Sequence, residues 1–288
     1  MKRNALYRYS VTTLATNILV ILWGAYVRAT GAGAGCGNHW PLCNGEIIPR
    51  SPVAGTLIEF THRITSGVAF LLVLGLVLAI RKNYQADHPT RKYAMMAMVF
   101  MVVEAMVGAG LDLFELVAFN TSVARAVVGA FHLLNTFLLL GSIVAVVETL
   151  DENSSSRFLA SDPRGLLLAL GMFGVLLVGM SGAITALGDT LFPSESFFQG
   201  LTQELSVDAH FLIRLRIWHP LIAIIASLFI LVGLRLPAPV DRRSPKIELS
   251  MVILIMTQLF AGVVNVLLLA PVWLQIIHLL LADLIWVG

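Results

Sequence analysis

Eight stretches of about twenty mostly apolar residues follow one another along this chain, and no other feature limits its fold so strongly. They run over 11–29, 60–80, 93–111, 124–147, 165–187, 212–234, 249–269 and 272–288. A bilayer core offers no partner for open backbone groups, so such spans are helices or the strands of a closed barrel. The stretches lack the period-two alternation of barrel strands, which leaves helices. With 58% hydrophobic and only 12% charged residues, the composition lies far outside the soluble range, as expected of a chain dissolved in lipid. The expected fold is all-α, an integral membrane protein of eight transmembrane helices.

Basic residues set the orientation. With the N-terminus inside, Lys2, Arg3, Arg8, Arg81, Lys82, Arg91, Lys92, Arg157, Arg164, Arg235, Arg242, Arg243 and Lys246 collect on the inner side. Six remain outside: Arg28, Arg50, Arg63, Arg125, Arg214 and Arg216. Both termini are therefore expected in the cytoplasm. The first span begins basic and ends in small residues, so a cleaved signal peptide is the alternative for it. Its likeness to an internal helix favours a retained span. No Arg- and Ser-rich presequence precedes it, which points to a bacterial cell membrane.

That likeness belongs to an internal repeat. Ile21-Leu-Trp-Gly-Ala-Tyr-Val-Arg-Ala-Thr-Gly resembles Leu177-Val-Gly-Met-Ser-Gly-Ala-Ile-Thr-Ala-Leu-Gly. His62 and His219 stand near the starts of the second helices, and His132 and His278 lie in the fourth. In the third helices Glu104 and Gln258 each precede a glycine, Gly108 or Gly262, by four residues. An even number of helices per repeat gives both halves the same polarity, a parallel repeat. The expected organisation is a four-helix half over 1–147, a cytoplasmic linker over 148–164 and a second four-helix half over 165–288.

Of seven histidines, His39, His88 and His210 fall in or beside polar connections and read as solvated surface residues. The other four lie within apolar spans, where ionisable groups are costly and usually functional. Neutral imidazoles from two facing helices of a bundle can sandwich a haem iron, whereas zinc normally takes a further Cys, His or carboxylate ligand. His132 and His278 lie roughly 12 Å and 9 Å from their helix starts at about 1.5 Å per residue, so all four histidines belong to the outer half of the membrane. Arg63, Arg125, Arg214 and Arg216 share that level. They could pair with haem propionates, or only snorkel to lipid headgroups.

The halves are not equivalent. Glu59 stands three residues before His62, on the same helix face, where the second half has Arg216 before His219. A carboxylate there could take up a proton or stabilise developing positive charge, which makes the first half the expected site of chemistry; alternatively it pairs with Arg63. Only the first outer loop carries cysteines, in Cys36-Gly-Asn-His-Trp-Pro-Leu-Cys43. On the outer face this pair is expected to form a disulfide, as a structural staple or as a redox element; a metal site of Cys36, His39 and Cys43 is the remaining option. Glu104 is either a proton relay or, like Gln258, a hydrogen-bonding link between helices, and Asp283 lies toward the inner end.

Three blocks carry a family resemblance: Gly24-Ala-Tyr-Val-Arg-Ala-Thr-Gly-Ala-Gly; Cys36 with Trp40-Pro-Leu-Cys43-Asn-Gly and Pro49; and Glu59-Phe-Thr-His62-Arg. Gly129-Ala-Phe-His132-Leu, Trp218-His219-Pro and Ile277-His278-Leu-Leu-Leu-Ala-Asp extend it over the chain. Together these resemble the haem A synthase family. The resemblance implies an oxidoreductase that converts the C8 methyl group of haem O to a formyl group, giving haem A for terminal oxidases. It implies haem b on His219 and His278, and haem O between His62 and His132 with Glu59 as a mechanistic carboxylate. Implied partners are haem O, the haem O synthase that supplies it, membrane lipid and an electron acceptor that the sequence does not name. Nucleic acid is not expected, and a homo-oligomer is left open. The competing readings are a non-catalytic dihaem b-type electron carrier and a haem transporter or chaperone.

Overall fold

A computed structural model describes residues 3–50, 52–150, 162–237 and 245–288. Among them, seven helices are long and apolar enough to cross a membrane: α1 (Arg3–Ala29), α2 (Ala54–Asn83), α3 (Pro89–Leu113), α4 (Val123–Leu150), α5 (Pro163–Leu191), the segment Phe211–Arg235, and α9 (Pro245–Leu267). The eighth expected span is α10 (Val272–Val287), apolar but only 16 residues long. The all-helical reading holds, and the chain is a multi-pass membrane protein. The expected linker is described at its two ends, while 151–161 lie outside the described residues, as do Arg157, Arg242 and Arg243.

Two compact units, Met1–Ser154 and Ser155–Gly288, each pack around their own helices. In the first, α1 packs on α2 and α4, and α3 on α2 and α4. Lipid tails are as apolar as leucine, so the contact energy comes from close fit rather than from escaping water. Small residues supply that fit: Ala69 and Ala97 sit in one cluster with Val73, Met101, Leu139 and Ile143, and Ala94 in a second with Leu6, Leu76, Ile80 and Val146. Tyr9 of α1 donates to Leu72 O of α2 at 3.0 Å across Gly75, where a Cβ would meet the phenol oxygen.

In the second unit α5 packs mainly on the helix that follows the connection, with Gly171 and Gly174 admitting Ile230 and Ala226 into near contact. Sequence reading expects one helix over 212–234. The structure instead has α7 (Phe211–Arg214) and α8 (Trp218–Arg235), separated by a short turn. Pro220 explains the break, because it has no N–H to give to Arg216 O and its ring crowds that carbonyl. The chain there uses tighter bonds, His219 N to Arg216 O and Trp218 N to Leu215 O, both 3.2 Å. His219 consequently stands in the first turn of α8. Between α5 and α7 lies α6 (Phe197–Leu205), which the span reading did not anticipate; Ser196 caps it by accepting from Gln199 N.

Candidate functional site

In the first unit a helix and a loop are latched together around one carboxylate. Gly31, with φ 69°, turns the chain out of α1 into a 3-10 turn, Ala32–Ala34. Gly35 then passes so close to Gly55 that a Cβ would lie 2.5 Å from its carbonyl carbon. This approach lets Thr56 Oγ1 donate to Gly35 O at 2.8 Å, and Cys36 N to Glu59 Oε2 at 2.8 Å. Cys36 and Cys43 form the expected disulfide, both fully buried. Oxidised sulfurs are not thiolate ligands, and His39 beside them is exposed, which removes the metal option for this loop.

Glu59 is 3% exposed and its other oxygen accepts from Arg63 Nε at 3.0 Å and from Arg63 Nη2. The same guanidinium donates to Leu42 O at 2.8 Å and pairs with Asp112 Oδ2 at 3.0 Å. The alternative weighed for Glu59, pairing with Arg63, is thus present. It does not remove the carboxylate from the His62 face of α2.

Each site histidine has a defined environment. His62 packs on Gly24 of α1, where a Cβ would come within 3.0 Å of its Cε1, and its Nδ1 is buried without a hydrogen-bond partner. His132 Nδ1 stands 3.3 Å from Glu104 Oε1, a charge contact too oblique for a hydrogen bond. In the second unit His219 packs on Gly182 of α5, the repeat counterpart of Gly24, and its Nδ1 lies 3.2 Å from Ser181 Oγ. The Ser181 hydroxyl already donates to Val178 O, so the consistent assignment has His219 Nδ1–H donating to Oγ and leaves Nε2 a free lone pair. His278 packs on Gly262, and Gln258 Nε2 is 3.3 Å from its Nε2.

The rings of His219 and His278 are 6.3 Å apart between centroids, tilted by 76°. Two imidazoles on one metal, with bonds of about 2 Å, place their ring centres roughly 6 Å apart, so this pair fits a haem iron. Glycines beneath three of the four rings carry the same message. The repeat contains them, but sequence reading gave them no role.

The four arginines read as propionate partners have different surroundings. Arg125, 6% exposed, donates from Nη1 to Ala118 O and to Asn120 O at 2.8 Å, tying down the turn before α4. Arg216, also 6% exposed, donates to Phe192 O at 2.7 Å and lies 3.0 Å from Asp189 Oδ1. Arg63 sits in the latch. Arg214 alone of the four is exposed, lining a cavity of about 360 Å³ with Glu204, Phe211 and Trp218. Burial pushes the Glu204 carboxyl above its ordinary value, Arg216 opposing and Asp189 adding to the shift. His88 and His210, read as surface residues, are half-buried caps: each ring accepts from the backbone N two residues on, Thr90 and Leu212, at 3.3 Å. Sequence reading had no sign of this beyond their place just before a helix.

The family model described as COX15-CtaA, cytochrome oxidase assembly protein, matches residues 7–288. The chain belongs to the COX15-CtaA family. A Thermus thermophilus protein named protoheme IX farnesyltransferase is 49% identical over 283 residues, which is 96% of this chain and 46% of that protein. Proteins named heme A synthase match as well. One from Exiguobacterium sibiricum is 30% identical over 63% of this chain and 60% of its own length, and one from Bacillus cereus 43% identical over 35% and 32%. The chain thus spans about half the length of the first of these relatives. Both histidine pairs lie within the stretch that the COX15-CtaA model matches.

Proposed function

We propose that this chain is a haem A synthase, an oxidoreductase that converts the C8 methyl group of haem O to a formyl group. The observation that carries the reading is the histidine pattern. Two repeat-related pairs stand in apolar helices, and only the first has carboxylates at both members, Glu59 one turn before His62 and Glu104 beside His132. His219 and His278 would hold a resident haem b, which supplies electron transfer when bound. His62 and His132 would flank the substrate haem O. Methyl to formyl is a net four-electron oxidation, two hydroxylations followed by loss of water. Both Glu59 oxygens are engaged, so its part is to hold negative charge beside the substrate and to fix the loop over it. Arg214, exposed beside the second pair, is the arginine placed to meet a propionate. Both termini lie in the cytoplasm of a bacterial cell, α10 completing eight spans in two four-helix halves, and haem O arrives from its synthase.

The Thermus relative's name favours a second reading, farnesyl transfer to haem. The match covers less than half of that protein, leaving ample length for a separate transferase. Transfer from a diphosphate also calls for carboxylates that hold Mg²⁺ on the phosphates. The eight aspartates here are scattered, no two closer than eleven residues. Expression in cells that make haem O but no haem A decides the matter by pigment extraction. Haem A should appear. Haem B alone with unconverted haem O would leave the dihaem carrier, and new haem O in cells lacking it would favour the transferase.

A further inference from the structure

Glu104 of α3 is held more firmly than a link between helices requires. Its Oε1 accepts from Thr136 Oγ1 at 2.6 Å and its Oε2 from Asn135 Nδ2 at 2.6 Å; Asn135 Nδ2 also donates to Phe100 O at 2.9 Å. Both donors lie on α4, three and four residues after His132, and are buried. The helix that carries the imidazole therefore also fixes the carboxylate that faces it. In the second half every member of this arrangement is replaced. Gln258 stands for Glu104, Leu281 for Asn135 and Ala282 for Thr136, counting equal steps from His278. A carboxylate within a span is costly, and only the first half provides the donors that offset the cost.

We propose that Glu104 is a positioning residue that takes the Nδ1–H of His132 and makes it the more electron-donating of the two fourth-helix ligands, since Gln258 meets the Nε2 of His278 and its Nδ1 has no such acceptor. This rests on the reading that His62 and His132 hold a haem. An imidazole bound to iron through Nε2 carries its proton on Nδ1, and donation of that proton to a carboxylate raises the basicity of the ligand. A more basic ligand stabilises ferric over ferrous iron. A haem on His62 and His132 would then be the one of lower reduction potential. The contact of 3.3 Å would have to tighten into a hydrogen bond once the site is filled; such bonds are often long before then.

The test is a redox titration of the full-length protein loaded with haem O, followed by the absorption and low-spin EPR signals of each haem. Glu104→Gln should move the ferric–ferrous balance of the His62/His132 haem about tenfold toward ferrous, about 59 mV for one electron, and leave the other haem unmoved. Thr136→Val, which keeps the charge but loosens it, should give a smaller shift in the same direction. If Glu104 only joins helices, its variant melts earlier with both potentials and EPR signals unchanged, which overturns the proposal. Should Glu104→Gln not accumulate, an unmoved potential in Thr136→Val overturns it equally. Wild-type protein that takes up haem at one pair only overturns the functional reading together with this one; two bound haems with unmoved potentials overturn this one alone.

Discussion

The two halves hold equivalent histidines in unequal surroundings. In the first, α2 and the connection after α1 are joined by a disulfide, a buried Glu59–Arg63–Asp112 group and backbone contacts at Gly35. In the second, the connection after α5 includes a short helix, α6, whose Glu204 lies near Arg216 and Asp189. One His132 neighbour is a clamped carboxylate, and its counterpart at His278 is an amide. On the proposed reading, duplication supplies two haem-ligating scaffolds, and the difference between them lies in what surrounds the histidines. That is the expected outcome when one copy keeps a cofactor and the other handles a substrate.

The comparison breaks most directly at the ligands. His278→Ala should remove the resident haem from purified protein, lowering haem per chain by about half, and abolish haem A. His132→Ala should keep that haem and still lose product by about 100-fold, the scale at which metal sites respond to a lost partner. Haem quantitation after extraction reads both. Equal haem loss in the two variants would show that the halves do not divide labour.

A smaller effect is expected at the latch. Glu59→Ala strands Arg63 with Asp112 alone and leaves Cys36 N–H buried without an acceptor. Removing one partner of a buried pair costs about 3 kcal/mol, so the thermal midpoint in detergent should fall by several degrees. Glu59→Gln keeps an acceptor for Cys36 N and should retain most of the stability. If it also retains full activity, charge at this position is not needed for chemistry.

Glycines sharpen the comparison at finer grain. A Cβ at Gly262 would come 3.2 Å from His278 Cε1, whereas at repeat-related Gly108 nothing lies within 4 Å. Gly262→Ala should displace the imidazole by a few tenths of an ångström and weaken haem retention about tenfold, while Gly108→Ala should leave haem content unchanged. Haem loss to an acceptor protein measures the difference.

These contrasts mark what the sequence could and could not convey. Apolar length located most of the helices to within a few residues, yet it began the first span at 11 and the second at 60, whereas α1 starts at Arg3, and α2 starts at Ala54 and carries Glu59 inside the fold. Hydropathy windows stop at charges, and here the charges are buried because a loop covers them. The turn before α8 was missed because a span window does not see that Pro220 removes one hydrogen bond. Depth along a helix put four arginines at one level, but depth gives no direction, and three of them turn to protein acceptors. Glu104 could be singled out as an ionisable group in a span; only the structure shows it facing His132.

The smallest expected effect concerns the connection after α5, which has no disulfide and carries Glu204 beside Arg216 and Asp189. Glu204 lies outside the spans, and burial raises its folded-state value above the ordinary glutamate value of about 4.3. A raised value means that folding favours the protonated form. Its contribution to stability is therefore complete below the unfolded value and is lost as pH rises through the folded one. Glu204→Gln should leave the thermal midpoint unchanged at low pH and raise it slightly above that window. Because the side chain is only half-buried, solvent screens the effect, and a shift of a degree or less in the difference between variant and parent is expected. If the Glu204→Gln difference stays flat from acid to neutral pH, Glu204 has no part in holding α6, and the contrast between a disulfide-anchored connection and one without a disulfide rests on packing alone.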